Sequence, residues 1–467
     1  MGRRQTLAAT VLLTMLLAAP AWAQAPADCP QPTEADSIFR LRLDERGLLA
    51  ACRPVLQDQV LPAVRAATDT LVFASGWRSD PAARSGLDDR FVRGLRGAAP
   101  GADGLRPVFI EVDWPSAHFP FHTQAASVAR TRPLPASFGE FAAAIQRLFP
   151  WLDSENGARE LEQVFALLDA ETRRQRVSLK EFNALAAILK RWDRTTLPRP
   201  DLGCEARHAE APGEASIFDL DAGRLGQYLW DTAYLWEGGR EGRVAPSVLG
   251  PLHIATFWQM RRRAGIIGAT GGAELLRTLR AAADPAAGAT GGLHLIGHSF
   301  GAKLLTAALA DCVRGQPTTA RSLVLVQGAL SQLAFVGEDD VQQVWKDKRP
   351  GGIYAALVQQ RLVAAPIVVT LSSRDVPNAF WYPLGLRAIP GVLERQSVRP
   401  TMYGSLGANG AQRVESAFLE VARGGRVVLR ERPVVNVRVE DVVSGHDQIL
   451  APEIYDLVWA AVRWKRP

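Results

Sequence analysis

Short, almost continuous runs of Val, Ile, Leu and Phe alternate along the chain with longer segments of helical periodicity. Such runs, bounded by turn residues, are typical of strands buried on both faces, as in a parallel sheet. The predicted strands are residues 71–74, 108–112, 293–296, 323–326, 367–371 and 434–439. The predicted helices between them include residues 273–283, 302–313 and 451–462. This alternation favours an α/β fold with a doubly wound, mostly parallel sheet.

One long segment interrupts the alternation. Between Trp114 and about Ala273 no convincing buried strand occurs, and the sequence instead predicts helices at residues 138–149, 158–170 and 179–192, followed by a Pro-rich, polar stretch. Ligands of open α/β sheets bind at the carboxyl ends of the strands. We therefore expect a helical insertion that forms a cap or lid over that edge. A helical bundle packed away from the active site is the alternative.

The N-terminal residues have the order of a secretory signal peptide. Arg3 and Arg4 precede an apolar run at residues 7–19, and the small-x-small pattern Ala21-Trp22-Ala23 follows. The run is short for a bilayer span, although an uncleaved anchor is the alternative reading. We expect cleavage after residue 23, export to the periplasm or beyond the cell, and no integral membrane span in the mature chain.

These patterns divide the chain of 467 residues. The prediction is a signal peptide at 1–23, the N-terminal part of the core at 24–116, a mainly helical insertion at 117–255 and the C-terminal part of the core at 256–467. A hydrophobic content of 47% is enough for a substantial core.

Charge and cysteine content narrow the class further. The net charge is +6 and is spread along the chain, with one tight cluster, Arg261-Arg262-Arg263. We interpret that cluster as a solvated helix face and expect no nucleic-acid partner. The absence of Cys-x-x-Cys from the sequence disfavours a zinc site or a redox dithiol. An oxidising compartment permits disulfides, for which Cys29 with Cys52 is the preferred pair, and Cys312 is expected as a buried free thiol.

The strongest chemical signal is Gly297-His298-Ser299-Phe300-Gly301. An apolar strand precedes it and a helical pattern follows, which is the context of a nucleophile elbow. The sharp turn strains the serine backbone and exposes its hydroxyl above the sheet, and the two glycines supply the room. The helix N-terminus adds positive potential where an oxyanion would form.

This segment resembles the elbow of lipases, esterases and thioesterases of the α/β-hydrolase superfamily. Upstream, residues 71–78 resemble the first strand and oxyanion turn of these enzymes, with Ser75-Gly76 where the family usually has His-Gly. The departure leaves the loop geometry open, and Gly76 is alternatively an ordinary strand-end turn. The resemblance implies that the backbone N–H groups of Trp77 and Phe300 are the oxyanion donors.

The likeness extends from about Asp69 to the C-terminus. It includes Trp114-Pro115-Ser116, which is similar to a strand end in a group of largely uncharacterised serine hydrolases that combine Gly-Trp, Trp-Pro-Ser and Gly-His-Ser-x-Gly motifs. That likeness says little about substrate.

The resemblance also sets the order of the remaining catalytic residues, which in this fold is serine, acid, histidine. Of the seven histidines, His446 alone follows the elbow, in a loop after the last predicted strand. Asp375 ends the polar turn after the strand at 367–371 and is the predicted acid. Asp441 is its rival, interpreted as a strand-end residue.

Gly76, His118 and His298 are candidate pocket residues. His118 follows Trp-Pro-Ser and His298 precedes Ser299. For both histidines a packing role is the favoured alternative, since a neighbour of the elbow serine points away from the pocket.

The resulting hypothesis is an exported hydrolase of small-molecule or lipid carboxylic esters that uses Ser299, His446 and Asp375 through an acyl-enzyme. We expect no cofactor and no metal, because the sequence has no His-Glu-x-x-His, calcium-loop or phosphate-loop motif. The glycine-rich residues 265–272 are interpreted as a flexible turn. An acyltransferase or amidase with the same triad is one alternative, and a catalytically inactive hydrolase-fold binding protein is another.

Overall fold

The computed structural model describes most of the chain. The described residues are 29, 38–44, 47–76, 84–100, 104–116, 121–122, 132–133, 137–149, 152–173, 177–195, 216–236, 248–283, 292–311, 315–340, 351–386 and 403–464. The predicted signal peptide, Trp77, His118 and Cys312 lie outside these ranges, as do the last predicted residues of the helix at 302–313.

An eight-stranded sheet, parallel throughout, forms the centre of the described structure. Its strands are β1 (Ile38–Arg42), β2 (Asp69–Ala74), β3 (Pro107–Asp113), β6 (Gly292–His298), β7 (Ser322–Val326), β8 (Ile367–Leu371), β9 (Ser416–Glu420) and β10 (Val434–Arg438). They lie side by side in the order β1-β3-β2-β6-β7-β8-β10-β9. A separate short pair consists of β4 (Phe121–His122) and β5 (Arg132–Pro133). The predicted α/β class and parallel sheet are confirmed, with all six predicted strands present.

The two edge strands, β1 and β9, were not predicted. Both are less completely buried than the central strands: β1 has half-buried arginines at positions 40 and 42, and β9 has only exposed and half-buried positions. In β1 the polar positions are satisfied by the neighbouring strand: Arg40 bonds Glu111 at 2.8 Å and Arg42 bonds Asp113 at 2.8 Å.

Helices cover both faces of the sheet and make up most of the described part of the insertion. They are α1 (Arg53–Val55), α2 (Leu61–Ala66), α3 (Arg84–Gly97), α4 (Phe138–Leu148), α5 (Glu155–Thr172), α6 (Leu179–Thr195), α7 (Ala222–Trp236), α8 (Leu249–Ile267), α9 (Ala273–Ala282), α10 (Phe300–Ala310), α11 (Ala355–Gln359), α12 (Tyr382–Leu386), α13 (Leu406–Asn409) and α14 (Pro452–Val462). The helices predicted from periodicity begin and end within a few residues of α4, α5, α6, α9, α10 and α14. Helices α3, α7 and α8 were not predicted individually.

Alternate side chains of the central strands enter two separate cores. Val72 of β2 belongs to the core beneath α8, α9 and α10, whereas its neighbours Leu71 and Phe73 belong to the core beneath α3 and α14. Phe73 stacks on Phe91 of α3 with ring centroids 4.7 Å apart. Burial on both faces explains why the sequences of these strands are almost continuously apolar.

Helix α8 corrects two expectations. The Arg261-Arg262-Arg263 cluster is not a solvated face, because Arg261 and Arg263 are only 1% and 6% exposed. Arg261 lies over the rings of Trp258 and Tyr382. Cation–π contacts and hydrogen bonds allow an arginine to be buried. The aromatic partners of Arg261 are Trp258, one helical turn away, and Tyr382, which is distant in the sequence.

The glycine-rich residues 265–272 are also not a flexible turn. They end α8 and form a buried π-helical turn, Gly268–Gly272, that leads directly into α9. A Cβ atom on Gly268 would lie 2.9 Å from the Ala307 Cβ of α10, and one on Gly271 would overlap the Gly47 carbonyl. The glycines therefore permit close packing.

The described part of the insertion at 117–255 is mainly helical, apart from the short β4–β5 pair, and its predicted end falls within α8. Helix α6 packs along α7, and α7 packs on α8, which in turn lies against α10. The predicted disulfide between Cys29 and Cys52 is present and joins residues 23 positions apart. Within the described ranges, none of the helices has the length and apolar character needed to cross a bilayer.

Candidate active site

Ser299 stands at the junction of β6 and α10 in a conformation that few residues adopt. Its φ is 55° and its ψ is −125°, a region that costs a non-glycine residue free energy on the order of 1–3 kcal/mol. Backbone hydrogen bonds hold it there. Its N–H donates to the Val326 carbonyl at 3.2 Å, and its carbonyl accepts from Ala302 and Ala329 at 3.1 and 3.0 Å.

The two elbow glycines are required by close backbone approaches. A Cβ on Gly297 would lie 2.6 Å from the Ala302 nitrogen, and one on Gly301 would lie 2.7 Å from the Ser75 carbonyl oxygen. No real Cβ atom tolerates such distances. The sequence-based interpretation of both glycines therefore agrees with the local geometry.

The structure brings Ser299, His446 and Asp375 together in one line of hydrogen bonds. The Ser299 Oγ lies 2.7 Å from His446 Nε2, and His446 Nδ1 lies 2.9 Å from each carboxylate oxygen of Asp375. The three residues follow β6, β10 and β8, so their loops meet at the carboxyl edge of the sheet.

The environment of Asp375 keeps its carboxylate ionised. The side chain is fully buried, which by itself raises its pKa, but the charge and hydrogen bond of His446 and the hydrogen bonds of Asn378 outweigh burial and lower the pKa below its usual value. An ionised carboxylate only accepts, so His446 Nδ1 carries the proton and Nε2 is left to accept from the Ser299 hydroxyl.

Two residues that the sequence did not single out hold this carboxylate. Asn378 donates to Asp375 from its backbone N–H at 3.1 Å and from its side chain at 2.8 Å. Gln327 donates from Nε2 at 3.0 Å, while its own amide oxygen accepts from Thr370 at 2.9 Å. Gln327 has a positive φ of 48° directly after β7. Its place at the carboxyl end of a strand beside the elbow is the sequence signal that could have identified it.

Glu440 joins the loop of Asp375 to the loop of His446. Its carboxylate accepts from the Ser373 backbone at 2.8 Å and from the hydroxyls of Ser372 and Ser373 at 3.1 and 3.2 Å. Burial raises the pKa of Glu440, but these hydrogen bonds lower it further than burial raises it. The rival acid Asp441 lies instead in an exposed turn.

The Ser75-Gly76 turn lies directly against the serine. Gly76 approaches Ser299 so closely that a Cβ on it would come within 2.6 Å of the Ser299 Oγ. Trp114 Nε1 donates to the Ser75 carbonyl at 2.8 Å, and the Ser116 hydroxyl donates to the Gly76 carbonyl at 3.1 Å. The next residue, Trp77, is outside the described ranges.

Of the other candidates, Phe300 is the first residue of α10, where amides point out of the helix N-terminus. His298 is 2% exposed, and its Nε2 lies 2.9 Å from the His446 carbonyl. It therefore supports the backbone of the histidine loop. Within the described ranges, the side chains of His, Cys, Asp and Glu form no group of three or more with the arrangement of a metal site.

A second Ser-His-Asp set lies at the opposite edge of the same sheet. His294 Nδ1 lies 2.8 Å from the Ser322 Oγ, and His294 Nε2 lies 3.0 Å from Asp69 Oδ1. The three side chains are at most 1% exposed, and Ser322 is an ordinary strand residue. Unlike Ser299, Ser322 begins a strand and does not lie at a strand-to-helix turn.

Comparison with known proteins adds no assignment: no family model, curated protein or solved structure matches the chain.

Proposed function

We propose that this protein is an exported serine hydrolase of the α/β-hydrolase type that cleaves carboxylic esters. The observation that carries the proposal is the hydrogen-bonded line from Ser299 through His446 to Asp375, with the serine in a strained strand-to-helix turn. Strained backbone of this kind is concentrated at functional sites. Sequence order and the geometry support the same three residues.

The reaction proceeds in two halves. His446 Nε2 removes the Ser299 proton as the Ser299 Oγ attacks the acyl carbonyl, and the imidazolium then gives that proton to the leaving alkoxide. Water attacks the acyl-enzyme in the second half, with His446 again accepting and returning a proton. Asp375 keeps the imidazole in the required tautomer and stabilises its charged form.

The amides of Phe300 and Trp77 hold the negative oxygen of the tetrahedral intermediate in this proposal. Phe300 supplies an amide at the positive N-terminus of α10. The position of Gly76 against Ser299 supports a role for the amide that follows it. Preorganised donors of this type usually make the largest single contribution to catalysis of acyl transfer.

Export and the nature of the substrate belong to the same proposal. The N-terminal sequence pattern and the Cys29–Cys52 disulfide both support an oxidising compartment. The helical segment before α8 is proposed to cap the carboxyl edge of the sheet, which would enclose a small-molecule or lipid ester next to Ser299.

The test is labelling of the purified mature protein with a fluorophosphonate probe. We expect the wild type to be labelled and Ser299→Ala and His446→Ala to be silent. Ser322→Ala is the matched control, because it removes the serine of the buried second set and should retain labelling if the variant is folded by circular dichroism.

Analysis of the reaction products then distinguishes a hydrolase from an acyltransferase or an amidase. Ester turnover to free acid supports the hydrolase, whereas preferential transfer to an added alcohol or cleavage of amides would assign the triad to an acyltransferase or amidase. A folded wild type without labelling or turnover would overturn the proposal in favour of a binding protein.

A further inference from the structure

We infer that Trp114 and Ser116 are positioning residues, whose hydrogen bonds fix the peptides of the Ser75-Gly76 turn for oxyanion stabilisation. The inference rests on the proposed function. It assigns a role to the Trp-Pro-Ser sequence that the mechanism above does not use.

Sheet register places this segment beside the turn. Strands β2 and β3 are parallel neighbours, with Ala74 opposite Val112. Residues that follow β3 by one to three positions therefore lie next to those that follow β2. Trp114 and Ser116 reach the two successive carbonyls of the turn, at 2.8 and 3.1 Å.

The direction of these two hydrogen bonds matters for catalysis. In a planar trans peptide the C=O and N–H point in opposite directions. Donors that hold the Ser75 and Gly76 carbonyls therefore direct the N–H edges of those peptides to the other side. A flip of either peptide would turn a carbonyl oxygen, which repels negative charge, to the place where an amide donor is needed.

The two donors are themselves fixed. Trp114 is 2% exposed and Ser116 is 3% exposed, so neither side chain is free to change rotamer without repacking. From the other side, Arg263 of α8 donates to the Pro115 carbonyl at 3.1 Å. All three residues of the Trp-Pro-Ser segment thus carry a hydrogen bond, and the segment connects a buried helix to the turn that contacts Ser299.

The experiment compares Ser116→Ala and Trp114→Phe with the wild type in steady-state ester hydrolysis. We expect kcat to fall about 10- to 100-fold with KM nearly unchanged, since misplacing a catalytic group by about 1 Å can cost about 100-fold. Affinity for an aryl boronic acid, which forms a tetrahedral adduct with the serine, should fall in parallel with kcat/KM. Trp114→Phe keeps an aromatic side chain and removes the N–H donor. Because the two variants remove different donors, agreement between them would not be explained by misfolding of one variant.

Ser322→Ala is the matched control. Ser322 is a buried serine, 1% exposed, whose Oγ lies 2.8 Å from His294 Nδ1 at the opposite edge of the sheet. Its loss should lower the melting temperature and leave kcat unaltered.

The outcomes separate the inference from the function on which it rests. Folded Ser116→Ala and Trp114→Phe variants with wild-type kcat and boronate affinity would overturn the inference alone, because labelling of Ser299 in the wild type would still stand. A folded wild type that neither labels nor turns over esters would overturn both.

Discussion

Gly76 offers the sharpest test of the site, because replacing its hydrogen by a methyl group is a small change in a place with no room. A Cβ on Gly76 would lie 2.6 Å from the Ser299 Oγ and closer still to the Ser299 Cβ. Ordinary van der Waals contact begins at 3.4 Å. The contact with the Ser299 Cβ would be 2.2 Å, so Gly76→Ala must push the turn and the serine apart by about 1.2 Å to restore ordinary contact.

That displacement is large on the scale of catalysis. A misplacement of about 1 Å can cost about 100-fold in rate, which corresponds to about 2.7 kcal/mol of transition-state stabilisation. We expect kcat/KM for ester hydrolysis and the rate of fluorophosphonate labelling to fall together by about that factor.

The assay measures labelling rate, ester turnover and thermal unfolding for Gly76→Ala beside Gly86→Ala. Gly86 lies in α3, where an added Cβ meets no atom within 4 Å. Alanine there should raise stability by about 1 kcal/mol through helix propensity and leave activity unaltered. A folded Gly76→Ala variant that labels at the wild-type rate would refute the placement of the turn against Ser299.

Three further predictions follow from charges and covalent links. In ester hydrolysis, Asp375→Asn should lower kcat by about 10⁴-fold, because the amide would hold the His446 imidazole in the wrong tautomer. The folded-state pKa of Asp375 lies below the ordinary 3.8, so its contribution to stability is present above pH 3.8 and is lost as the pH falls through the folded-state pKa. Denaturant titrations should therefore show that the Asp375→Asn variant loses less free energy of unfolding on acidification than the wild type. Burial raises the pKa of Asp193 to about 6, so its contribution to the free energy of unfolding should decrease as pH rises from about 4 to 6. Asp193→Asn should remove that contribution, and a pH dependence of unfolding identical to that of the wild type would contradict the prediction. Replacing Cys29 and Cys52 together by alanine should cost about 3 kcal/mol in urea unfolding, and a loss near zero would show that this link constrains little.

The parts of the fold that could be predicted are those whose signal is local. Central strands are buried on both faces, and the elbow combines a strand, a special turn and a helix within a few residues. Edge strand β9 has no fully buried position and therefore no continuous apolar signal. Edge strand β1 could not be predicted, because the carboxylates that pair with Arg40 and Arg42 lie on β3. Arg263 is buried for a similar reason, since its acceptor is the Pro115 carbonyl.

The candidate site shows the same division. The elbow motif predicted Ser299, chain order predicted Asp375 and His446, and the structure brings the three together. Asn378 was missed because it lies in a helical turn and an amide side chain has no distinguishing pattern of its own. The signal for Gln327 was its place at the carboxyl end of β7, and its contact with Asp375 depends on how the strands are arranged.

The two Ser-His-Asp sets lie at opposite ends of a parallel sheet, so the polarity of the sheet separates the proposed catalytic cluster from a second cluster of the same residue types. Asp69 and Ser322 begin their strands, so the His294 set lies where the chain enters the sheet. Ser299 lies where the chain leaves it, on the side at which the helix that follows begins. A search for catalytic sites by side-chain distances alone would return both sets with equal merit. Adding one criterion, the end of the strand on which the nucleophile sits, would retain the set at the carboxyl edge and discard the other.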